Sequence, residues 1–98
     1  MALTAVLELR LNPETLADAR KVLRRVLDET RAFEGNAGVT VIVDENDPAH
    51  LIVREEWESV EADAAYRAYR AGDGAVTDLA PLLAGAPALT KGAVDSTV

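Results

Sequence analysis

The stretch His50-Leu-Ile-Val-Arg-Glu-Glu-Trp57, followed directly by Ser59-Val-Glu-Ala-Asp-Ala-Ala-Tyr-Arg-Ala-Tyr69, decides how the rest of the chain is read. A β-branched run ends in the only tryptophan, and a helix start follows at once. Strand alternation places Leu51, Val53, Glu55 and Trp57 on one face and His50, Ile52, Arg54 and Glu56 on the other. A carboxylate and an indole therefore share a face with aliphatic side chains. On the helix, Ala62, Ala65, Tyr66 and Tyr69 follow the i, i+3, i+4, i+7 spacing of one face, and the small alanines leave room between helix and sheet. A small-molecule site is expected at this junction.

Outward from it, Leu3, Ala5, Leu7, Leu9 and Leu11 alternate with Thr4, Val6, Glu8 and Arg10, the period of a first strand. Asn12 is a preferred N-cap and Pro13 a preferred first helical residue, so a long amphipathic helix is expected from Pro13 to about Phe33. Leu16, Ala19, Leu23, Val26, Leu27 and Thr30 mark its inward face. Its basic residues, Arg20, Lys21, Arg24 and Arg25, read as a solvated face interleaved with acids. Gly35 suits a left-handed cap, and Val39–Val43 is a β-branched second strand. Asp44–Ala49 is a turn, which makes strands two and three an antiparallel hairpin. Ser59 is the N-cap of the second helix, which Gly72 and Gly74 end. A short helix interrupted by Pro81 and a weaker last strand from Pro87 to Val94 complete the chain. The order β-α-β-β-α-(α)-β predicts a ferredoxin-like split βαβ, an α+β fold with a four-stranded antiparallel sheet and one sheet face free of helices.

Composition narrows the chemistry. Ninety-eight residues with 49% hydrophobic content suit one domain spanning the chain, 1–98, with a modest core. The net charge of −7 and pI near 4.5 argue against nucleic acid or an anionic membrane as partner. With no cysteine and one histidine, no thiolate or multi-histidine metal site is expected within the chain. No apolar run has transmembrane length and the N-terminus lacks a signal-peptide pattern, so a cytoplasmic location is expected. Trp57 offers a flat apolar wall, Tyr66 and Tyr69 offer hydroxyls, and Glu55 is a candidate base among apolar neighbours. For Glu55 an ion pair with a first-helix arginine is an equal reading, and His50 reads as an exposed turn residue.

The motif Phe33-Glu34-Gly35-Asn36-x-Gly38 after a long first helix, with Glu55-x-Trp57-x-Ser59-x-Glu61-Ala62, resembles the antibiotic biosynthesis monooxygenase (ABM) domain family. The similarity runs from Leu3 to about Val94. It implies a dimeric α+β barrel: a homodimer whose sheets pack together, with a pocket in each subunit between sheet and helices. It further implies a monooxygenase of the cofactor-independent type acting on an aromatic polyketide, phenol or quinol. Glu55 and Tyr66 would be catalytic, and Trp57, Tyr69, Val53 and Phe33 would line the substrate site. No cofactor is expected. The same scaffold also serves non-catalytic metabolite-binding or stress-response modules and isomerases or cyclases, so these remain alternatives. Many family members carry a histidine where this chain has Tyr66, and that histidine's role does not carry over. Haem-degrading relatives need an axial histidine that has no counterpart here.

Overall fold

The computed structural model describes all residues, Met1–Val98. Strand β1 spans Leu3–Arg10, helix α1 Leu16–Ala32, β2 Asn36–Asp44, β3 Asp47–Trp57, α2 Val60–Ala71 and β4 Ala88–Gly92. The strands form one antiparallel sheet in the order β2-β3-β1-β4. This is the ferredoxin-like α+β fold expected from the element order.

The local signals act as their chemistry dictates. The Asn12 carboxamide accepts from the Glu14 amide, although the first turn, Pro13–Thr15, is 3-10 and the α-helix begins only at Leu16. Ser59 Oγ accepts from the Ala62 amide at 3.0 Å and opens α2. Gly35 has φ +89°, and a Cβ built on it would fall inside the Ala62 methyl group. Glycine is required there twice over, by backbone conformation and by the close approach of α2 to the β2 entrance.

Three expectations need correction. The hairpin turn is shorter than predicted: Asp44 pairs with Asp47, only Glu45 and Asn46 lie between, and β3 begins early enough to contain Pro48. A proline at a strand start forfeits little, because the ladder is irregular there. The stretch around Pro81 is a single 3-10 turn, Ala80–Leu82, not a short α-helix. Most consequential, α2 is rotated from the predicted face. Ala65 is exposed, while Asp63 and Tyr66 point inward.

Alternation on β3 holds throughout, with Leu51, Val53, Glu55 and Trp57 all buried under the helices. The main core joins Leu9 and Leu11, Leu51 and Val53, and Leu23 and Leu27 of α1. A second cluster joins Ala5, Trp57 and Tyr66, with Phe33 and Ala62 packed against it. The opposite sheet face carries no helix. It presents Val6 and Ile52 beside Glu8, Arg10, Arg54 and Glu56, and Ile42 there is 52% exposed.

Candidate functional site

Four aromatic rings meet where β3 hands over to α2. Trp57 and Tyr66 lie with ring centroids 4.9 Å apart, and Phe33 from the end of α1 stands edge-on to both, at 6.2 and 5.3 Å. Tyr69 lies 5.4 Å from Phe33. Such offset and edge-on pairs add to the burial of large apolar rings. Phe33 and the exposed side of Tyr69 form the outer layer, while Trp57 and Tyr66 are nearly inaccessible.

A polar network borders the rings. Glu55 Oε1 accepts from the Trp57 indole at 3.1 Å and from Arg67 at 2.6 Å, and Arg67 also reaches Asp63 at 3.0 Å. Lys91 of β4 binds the other Asp63 oxygen at 2.9 Å. Both carboxylates are buried, and paired cations are what make such burial tolerable. The expected partner of Glu55 was an arginine of α1. The structure instead supplies Arg67, four residues beyond Asp63 on α2, because the rotation of that helix turns both inward.

Tyr66 sits in a directional chain. Thr30 spends its hydroxyl proton on the Val26 carbonyl, so at 2.7 Å it accepts from Tyr66, and Tyr66 in turn accepts from Arg70 at 2.9 Å. Arg70 also reaches the Val26 and Gly74 carbonyls and Glu29. The guanidinium carbons of Arg67 and Arg70 stand 5.0 and 5.2 Å from the Tyr66 ring centre, within cation–π range.

Of the residues singled out in the sequence, Phe33, Glu55, Trp57, Tyr66 and Tyr69 are brought together. Val53 is not: it belongs to the leucine core beneath α1. His50 lies on the helix-free sheet face and is half-buried within β3, not at an exposed turn. Its Nδ1 is 2.8 Å from Asp44, and that hydrogen bond raises the imidazole above its ordinary range. Asp63, Arg67, Arg70 and Lys91 escaped sequence reasoning, and Thr30 was read only as part of the inward face of α1, where it is buried. The i, i+4 pairs Asp63/Arg67 and Tyr66/Arg70 were the available signal. No group of three or more His, Cys, Asp or Glu side chains is placed to hold a metal ion, and no helix is long and apolar enough to cross a membrane.

Two clefts open elsewhere. One of about 480 Å³ lies between α1 and strands β2 and β3. The other, about 380 Å³, is polar and runs from Arg25 and Glu29 to the loop after α2. Tyr69 and Arg70 border the second, whereas Glu55, Trp57 and Tyr66 line neither.

Sheet order and helix placement define an α+β protein of ferredoxin-like topology. The chain belongs to the antibiotic biosynthesis monooxygenase family, whose profile matches residues 2–75. No curated protein sequence matches it. Among solved structures it is similar to a variant of SnoaB, a cofactor-independent oxygenase from Streptomyces nogalater, with 14% identity, TM-score 0.83 and coverage of 99% of this chain and 96% of that one. A conserved protein from Methanosarcina mazei Go1 matches with 17% identity and TM-score 0.82 over 94% of this chain and 91% of that chain. Rv0793 from Mycobacterium tuberculosis matches at 20% identity and TM-score 0.76 over 100% of each.

Proposed function

We propose that residues 1–98 form a single domain that oxidises an aromatic polyketide, phenol or quinol with O₂, without a cofactor, at the aromatic cluster between sheet and helices. The observation that carries this reading is the state of Glu55: both of its donors fall on Oε1, leaving Oε2 without a hydrogen-bond donor, and one of the two is the Trp57 indole of the aromatic cluster. That the fold is shared with a cofactor-independent oxygenase supports it. A flat substrate displaces the outer rings of Phe33 and Tyr69 and stacks on Trp57 and Tyr66. Glu55 Oε2 takes the proton, and the Tyr66 hydroxyl, turning its one proton from Thr30 to the substrate, joins Arg70 in stabilising the oxyanion in a site that excludes water. The electron-rich anion then reduces O₂ directly. A quinol yields quinone and hydrogen peroxide, whereas a ring methylene takes one oxygen atom as carbonyl and releases the other as water.

Tyr66→Phe removes one hydroxyl at nearly constant volume. Stability should fall by only about 1–2 kcal/mol, since Thr30 and Arg70 keep other partners. Turnover of a panel of quinols and anthrone-like phenols, followed by O₂ uptake and quinone absorbance, should fall by roughly one to three orders of magnitude. Glu55→Gln should remove the pH-dependent limb of the rate. Unchanged turnover in both variants would eliminate these roles.

The closure of the cluster favours a second reading, a non-catalytic metabolite-binding or stress-response module, or an isomerase or cyclase using the same base. Absence of O₂ uptake with every oxidisable phenol would select among these. In either case the working form is a homodimer through the helix-free sheet face, because Val6, Ile42 and Ile52 otherwise meet water. Light scattering at micromolar concentration should report twice the chain mass of 10.4 kDa, and a stable monomer would refute the dimer.

A further inference from the structure

The cleft between α1 and the β2–β3 strands is unlike the rest of the surface. Its floor is apolar, made by Leu23 and Leu27 of α1, Val41 of β2 and Leu51 of β3. Its rim is cationic, made by Arg20, Lys21, Arg24 and Arg31. These are four of the ten basic residues in a chain of net charge −7. One carboxylate answers them: Asp28 binds Arg24 at 3.2 Å and Arg31 at 2.9 Å, while Arg20 and Lys21 make no ion pair. Arg25, adjacent in sequence, turns the other way and is held bidentately by Asp78. The basic run of α1 is thus divided by the helix itself, and its unneutralised part flanks an apolar floor.

We infer that this cleft binds an amphipathic organic anion, an apolar flat or chain-like body ending in a carboxylate. The volume of about 480 Å³ is that of a small-molecule site. The four aliphatic side chains require an apolar body, and two unpaired cations at the mouth supply a partner for one anionic group, with arginine able to bind it bidentately. An extended polyanion is a poorer match, because beyond the rim it meets an acidic protein. The site is separate from the Trp57–Tyr66 cluster and does not depend on the oxygenase reading.

The test is an NMR titration of the isotopically labelled full chain with 2-naphthoate and, as neutral isostere, 2-naphthamide. Saturable shifts should centre on Leu23, Leu27, Val41 and Leu51, with affinity for the amide at least about tenfold weaker and naphthoate binding weakened by salt. The double variant Arg20→Gln/Lys21→Gln alters only exposed side chains and should lose naphthoate affinity by a similar factor. Equal affinity for acid and amide, shifts centred on Phe33, Trp57 and Tyr66, or no saturable shift at all would each overturn the proposal. The comparison of the two ligands uses the unaltered chain, so it holds whatever the variant does to folding.

Discussion

Arg67→Ala should destabilise the protein by about 3 kcal/mol or more, the scale seen when one partner of a buried pair is removed. The guanidinium is the one group that touches both buried carboxylates, Glu55 and Asp63. Without it Glu55 keeps only the Trp57 indole and Asp63 only Lys91. In a domain of this size the loss corresponds to a fall in Tm of roughly 12–24 °C. Trp57 is the sole tryptophan, so its fluorescence reports urea unfolding directly. Combining Arg67→Ala with Glu55→Gln removes the stranded charge and should recover part of the loss, a non-additivity that identifies the pair as the cause. A loss under about 0.5 kcal/mol, typical of a surface ion pair, would mean that solvent reaches both carboxylates.

Trp57→Ala should cost about 3–5 kcal/mol. The side chain is 1% exposed and is among the largest fully buried groups in the molecule. Its loss opens a cavity against Tyr66 and Phe33 and strips Glu55 of a hydrogen bond. Unfolding followed by far-ultraviolet circular dichroism checks the figure. Trp57→Phe separates the two contributions, because it restores much of the ring packing and none of the N–H. If Phe proved as damaging as Ala, the hydrogen bond to Glu55 would be the larger part.

These effects meet at the boundary between what was legible in the sequence and what was not. Leu51, Val53, Glu55 and Trp57 were readable as one buried face because strand alternation has a fixed period of two, and Asn12 and Ser59 were readable as caps because their chemistry is local. The inward face of α2 was not. Counting alanines and tyrosines assigns Ala65 inward, whereas the fold buries Asp63 and leaves Ala65 in solvent. Asp63 is buried between Arg67 and Lys91, and Lys91 arrives from a strand 28 residues later, which no local pattern announces. The same blindness hid the cationic cleft: the helix turns Arg24 and Arg25 apart, but only the fold puts a cleft beside one and Asp78 beside the other. Pro48 was misread as part of a turn because its place at an irregular ladder is a property of pairing, not of sequence.

The hydrogen-bonded chain from Arg70 through Tyr66 to Thr30 and Val26 does more than satisfy buried atoms. It fastens α2 to α1 with polar links, whereas Trp57 belongs to the sheet and meets those helices largely through ring packing. Directional bonds hold orientation, and ring faces slide. Polar links thus cross both seams of α2, to α1 through Tyr66 and Arg70, and to the sheet through the Arg67–Glu55 and Lys91–Asp63 ion pairs. Phe33 and Tyr69, whose rings make no hydrogen bond, are the parts of the aromatic layer that none of these links hold.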